Sequence, residues 1–115
     1  MPAYPVHNEN AIKSLFVQLI RDNASISIVY RMDFGKEKGI LGFVDSEKEP
    51  KQVECKIIGF ETIGRLVREA FEEVHGKSEL ISSSMRLEEF QANDTRLILH
   101  PYWKLGIFEI AVRKS

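Results

Sequence analysis

The stretch from Gly59 to Gly76 constrains the fold of this chain more than any other, because its apolar residues fall on one helical face without a break. Phe60, Ile63, Val67, Ala70, Phe71 and Val74 follow the i, i+3, i+4, i+7 rule, and Glu61, Arg65, Arg68, Glu69, Glu72 and Glu73 fill the opposite side. Such a helix must be laid on something. Gly59 is placed to enter it as an N-cap, and Gly76 to leave it in the left-handed conformation that favours glycine. The segments on either side read as strands, so the partner layer is expected to be a sheet.

Before this helix the chain reads as a helix and three strands. Residues 1–7 carry Pro2 and Pro5 and are expected to form an extended arm. Asn8 or Asn10 can cap a first helix in which Ile12, Leu15, Phe16, Leu19 and Ile20 repeat at helical spacing, and Asp22-Asn23 ends the pattern. From Ser25 the period becomes two. Ile26, Ile28, Tyr30, Met32 and Phe34 point one way, and Ser25, Ser27, Arg31 and Asp33 the other, with Val29 the one apolar residue on that second side. The charged loop Gly35-Lys36-Glu37-Lys38-Gly39 then leads to a strand over Ile40 to Val44. A polar turn from Asp45 to Pro50 precedes a third strand with Val53, Cys55 and Ile57 inward.

After Gly76 the periodicity weakens. Leu80-Ile81 is too short to classify and Ser82-Ser83-Ser84 breaks any period. Met85 to Ala92 reads as a short helix or a strand, with Glu88-Glu89 and Ala92 favouring the helix. Thr95 to His100 and Leu105 to Val112 are expected to close the fold as a hairpin joined by Pro101-Tyr102-Trp103-Lys104. The order α-β-β-β-α-(β/α)-β-β gives an α+β fold: a single antiparallel sheet of five or six strands with the two main helices on one face. With 115 residues and no composition shift, residues 1–115 are read as one domain.

Composition bears on function mainly by exclusion. A net charge of −1, from 16 basic and 17 acidic residues interleaved along the chain, does not build the field a general nucleic-acid binder needs. The single cysteine, Cys55, excludes an intramolecular disulfide and points to a reducing compartment. No stretch is apolar for the roughly 20 residues a membrane helix needs, and the polar start does not resemble a signal peptide, so the reading is a soluble cytoplasmic protein.

Motifs that carry chemistry are missing from the sequence. His7, His75 and His100 are scattered and show no metal-ligand spacing, and His75 is expected to sit as a cation in the last turn of its helix. The seven glycines assemble into neither a dinucleotide fingerprint nor a phosphate loop. Adjacent carboxylates such as Glu72-Glu73 point about 100° apart on a helix and do not form an acid–base pair. No catalytic, cofactor-binding or metal-ligating residue is assigned.

Two surfaces can hold a partner. His100, Tyr102, Trp103 and Lys104 place the only tryptophan beside a tyrosine at a hairpin tip, and both residue types anchor interfaces. Glu61, Glu69, Glu72 and Glu73 form an acidic helix stripe suited to a basic partner. The expected function is therefore a non-catalytic protein-binding module, most concretely a small cytoplasmic inhibitor or immunity (antitoxin-like) protein whose partner is another protein. The alternative is a small-ligand binder or enzyme with a pocket between sheet and helices lined by Tyr30, Met32 and Cys55. Nucleic-acid binding is the third reading.

Overall fold

The computed structural model describes residues 8–45 and 49–114, and the arm expected over residues 1–7 and the middle of the polar turn lie outside them. The elements are α1 (Glu9–Asp22), β1 (Ile26–Asp33), β2 (Lys38–Asp45), β3 (Lys51–Cys55), α2 (Phe60–His75), β4 (Glu79–Ser83), β5 (Glu88–Ala92), β6 (Thr95–Tyr102), a 3-10 turn (Trp103–Leu105) and β7 (Ile107–Lys114). They make an α+β fold with one antiparallel sheet.

The sheet has seven strands among the described residues, in the order β3-β2-β1-β7-β6-β5-β4, rather than the five or six expected. The extra strands come from the segment with the weakest period. Glu79–Ser83 is a strand although all five of its residues are exposed, and Glu88–Ala92 is a strand and not the short helix its composition favoured. Pairing decides both: Phe90 lies opposite Leu97 on one side and Leu80 on the other, so β5 is held by two neighbours whatever its intrinsic preference. The last strand, β7, pairs with β1 as well as β6 and joins the two halves of the chain at the sheet centre.

One face of the sheet is buried. Ile26, Ile28, Tyr30, Leu41, Val53, Cys55, Phe90, Leu97, Leu99, Phe108, Ile110 and Val112 all lie on it and form a single cluster with Ile12, Phe16 and Ile20 of α1 and Phe60, Ile63, Leu66, Val67, Ala70 and Phe71 of α2. Both helices therefore cover that face. The alternate residues Ser27, Val29, Arg31, Gln52, Glu54, Glu109 and Arg96 stay exposed or half-buried, so the other face is open.

The helix ends follow from local chemistry. The Asn8 side chain accepts the Ala11 N–H at 2.7 Å and caps α1. Gly59 enters α2 as its N-cap, and Gly76 leaves it with φ 97° and ψ 176°, a glycine conformation with extended ψ rather than the left-handed helical one expected. Phe34 does not join the buried face. It sits past the end of β1, in the hairpin turn, and is 68% exposed. The pocket expected around Tyr30, Met32 and Cys55 is filled: Tyr30 and Cys55 are buried core residues and Met32 packs against the core from its edge.

Candidate functional site

A concave site lies beside α2, over the strands the helices leave bare. Seven strands are wider than two helices, and α2 runs from the end of β1 towards the β5–β6 turn, where Asn93 donates to the His75 carbonyl at 3.0 Å. Between α2 and the β4–β5 hairpin a groove of about 550 Å³ remains. Phe90, Leu99, Pro101 and Phe108 form its floor, Glu61, Arg65, Arg68, Glu69 and Glu72 its helical wall, and Ser84 to Glu88 its hairpin wall.

Phe60 and Trp103 close one end. Phe60, in the first turn of α2, meets Phe108 edge-on at 5.3 Å and Tyr30 edge-on at 6.2 Å, which roots it in the core. Trp103 leans on it at 4.8 Å and still exposes 60% of its surface. The tryptophan is held there by the 3-10 turn. Gly106, at φ 66°, donates its N–H to the Trp103 carbonyl at 3.3 Å and accepts the Met32 N–H at 2.9 Å, tying the turn to β1.

The hairpin wall is built by serine. Ser84 N–H donates to the Leu87 carbonyl at 2.8 Å, which closes a short loop and leaves Met85 at its tip, 92% exposed. The direction of β4 is set by Glu72, whose carboxylate accepts both the N–H and the hydroxyl of buried Ser78 at 2.8 Å. The Ser78 backbone bond, with smaller help from its hydroxyl and from Arg68 and Lys77, outweighs burial and holds the Glu72 carboxyl below the usual range.

The helical wall is largely neutralised within the chain. Arg65 pairs with Glu69 and with Glu9 of α1, both at 3.1 Å, and Arg68 with Glu72 at 3.9 Å. Arg68 also lies over the ring of Phe90, its guanidinium carbon 4.3 Å from the centroid. Among the described residues Glu61, Arg86 and Glu88 of the groove rim make no ion pair.

The residues named from the sequence are thereby divided among three surfaces. Trp103, Glu61, Glu69 and Glu72 meet at the groove. His100 and Tyr102 point to the open face of the sheet, because Leu99 and Pro101, which alternate with them, point into the groove; their rings lie 4.2 Å apart with the Tyr102 hydroxyl 3.1 Å from His100 Nδ1. Glu73 faces a second depression, of about 560 Å³, beside Lys13 and Arg21 of α1. Lys104 is exposed in the 3-10 turn and does not line the groove. The floor residues Phe90, Leu99 and Phe108 and the tip residue Met85 were missed, since only strand pairing brings them together. Met85 alone carried a local signal, a large apolar residue directly after three serines.

Two further groups depart from expectation or confirm it. His75 is not the expected helix-end cation: burial lowers its pKa below 6.5, outweighing nearby Asp94, and its Nε2 has no hydrogen-bond partner among the described residues. Cys55 is a buried thiol within 3.4 Å of the Gly39 carbonyl, pushed up to about 11 by burial. Among the described residues no three His, Cys, Asp or Glu side chains converge to hold a metal ion, and no helix is long and apolar enough to cross a membrane. Comparison with protein-family models, with curated proteins and with solved structures finds no match to this chain.

Proposed function

We propose that the protein is a non-catalytic protein-binding module, most concretely a small cytoplasmic inhibitor or immunity protein that blocks its partner by occupying it. The observation that carries this reading is the groove beside α2, where Trp103 is packed on Phe60 at 4.8 Å yet 60% exposed. A tryptophan backed by a packed ring and open on its other side is the kind of residue that anchors interfaces. Met85, Leu80 and Ile81 add exposed apolar surface along the same hairpin, more than single scattered residues would.

The same groove also supports a second reading, a small-ligand site, because its volume of about 550 Å³ falls in the range that holds drug-sized molecules. Its breadth and its charged walls favour a macromolecule. Nucleic acid draws less support: on the open face Arg31, Arg96 and Arg113 are matched in number by Glu54, Glu89 and Glu109, which offsets their field.

The test is capture of a partner from a nuclease-treated lysate of the protein's own cells, run in parallel with wild type and Trp103→Ala. A protein retained by the wild type in stoichiometric amount and released by the variant supports the module. Recovery of nucleic acid alone, or of nothing, overturns it.

A further inference from the structure

We infer that the groove takes an amphipathic α-helix of the partner, seated beside α2 as the third member of the helix layer, with basic residues flanking its apolar face. This rests on the protein-binding reading of the same groove and names the form of the partner. The first argument is the width of the two layers. Seven strands at about 4.8 Å spacing span roughly 29 Å, whereas two helices packed about 10 Å apart cover roughly 20 Å. One helix width is vacant, and it lies over β5 and β6 beside the β4–β5 hairpin.

The floor under that vacancy, Phe90, Leu99 and Phe108, is buried, whereas apolar side chains on its hairpin side stay open. Leu80, on the helix side of β4 opposite Phe90, is 53% exposed, and Met85 at the hairpin tip is 92% exposed. Phe90 is buried, but what lies over it is the guanidinium of Arg68. A charged side chain stands where the rest of the sheet has an apolar helix face. The wall of α2 from Phe60 to Glu72 is about 18 Å long at about 1.5 Å per residue, room for a partner helix of roughly three turns presenting i, i+3 or i+4, and i+7 anchors.

Charge selects the flanks. Arg65 and Arg68 are paired within the chain, so the rim groups without an ion pair among the described residues are two acids, Glu61 and Glu88, and one base, Arg86. A helix with lysine or arginine beside its apolar stripe meets that excess of carboxylate; an acidic one does not. A strand added to the β4 edge would leave the groove empty, and the register shift between Leu80 and Ser82 interrupts that edge as a template.

The probe is a tryptophan-free 14-residue Leu/Lys peptide of helical period, titrated against the protein with emission of Trp103, its only tryptophan, as the readout. Three controls accompany it: a proline-interrupted peptide of the same composition, a Leu/Glu helix, and an alternating Val/Lys strand peptide. The expected result is a saturable blue shift with the Leu/Lys helix, weakened about tenfold or more by the Met85→Gln/Leu87→Gln double variant, which removes apolar surface without changing charge, and in the Leu/Glu peptide. Both substituted residues lie in the exposed turn, and circular dichroism checks that the variant folds. No saturation up to about 1 mM, an equal response to the interrupted or strand peptide, or indifference to the double variant overturns the inference. A partner captured equally well by wild type and double variant sinks the helix inference and leaves the module reading standing. A groove that binds the helix while no partner is captured does the reverse.

Discussion

The Ile58 N–H donates to the Tyr30 hydroxyl at 2.7 Å, so a side chain of the inner strand β1 holds the connection between β3 and α2. Tyr30 is fully buried, and burial, more than its neighbour Cys55 and against the Ile58 bond, keeps its phenol above the usual range. Through this bond β1 fixes where α2 begins, and with it the position of Phe60 and of Trp103 upon it.

Tyr30→Phe leaves the Ile58 N–H without its partner and is expected to cost about 1–2 kcal/mol in a urea titration. Gly39 lies against the same ring. A Cβ there would sit 2.6 Å from the Tyr30 hydroxyl, 2.7 Å from its ring Cε1 and 2.9 Å from the Lys56 carbonyl, so Gly39→Ala is expected to cost about 1–3 kcal/mol. Because Tyr30→Phe removes one of those clashes, the double variant should lose less than the sum. Strict additivity would disprove the contact.

Phe71 and Trp103 separate core from interface. Phe71 is fully buried, and Phe71→Ala should cost about 3–5 kcal/mol of stability by thermal or chemical denaturation. Trp103→Ala should cost about 1 kcal/mol or less of stability while weakening partner binding by about 2 kcal/mol or more. A large drop in melting temperature with unchanged binding would move Trp103 into the core.

The Arg68–Phe90 contact is measurable by a double-mutant cycle with Arg68→Lys and Phe90→Leu. A coupling of about 0.5–1 kcal/mol is expected for a part-exposed cation over a buried ring. If a helix fills the groove, saturating Leu/Lys peptide should change that coupling, because Arg68 no longer faces water.

On the acid side, His75 and Glu72 act in the same direction through different windows. Both have folded-state pKa values below the ordinary ones of 6.5 and 4.5, so the unfolded chain binds the proton first as pH falls. Stability from His75 is present above pH 6.5 and lost below it; that from Glu72 is present above pH 4.5 and lost below it. His75→Phe should flatten the upper window and Glu72→Gln the lower one in stability measured from pH 3 to 8. A curve unchanged by either substitution would contradict the assignment.

Cys55 gives the opposite limb. Its thiol ionises near 9.0 when unfolded and is pushed up to about 11 by burial, so its contribution is present below 9 and lost as pH rises towards 11. Native protein should therefore react with a thiol reagent at pH 8 on the order of a hundredfold more slowly than urea-unfolded protein. Equal rates would mean that the thiol is open to solvent.

Elements whose signal is local were legible in the amino-acid order. The apolar stripes of α1 and α2, the Asn8 cap, the glycines at the ends of α2 and the alternation Ile26-Ile28-Tyr30 each depend on neighbours within one or two turns. So the α+β class, the three-strand meander and the closing hairpin follow from sequence periodicity. Tertiary structure decided the remainder. Glu79–Ser83 and Glu88–Ala92 have no strong period of their own and became strands because β6 offered β5 a paired edge, which β5 passed to β4. The same pairing split the segment from His100 to Lys104, sending His100 and Tyr102 to one face and Trp103 to the groove. Local periodicity determines which residues share a face, whereas the width of a sheet relative to the helices upon it is a property of the assembled layers, and the groove is the difference between them.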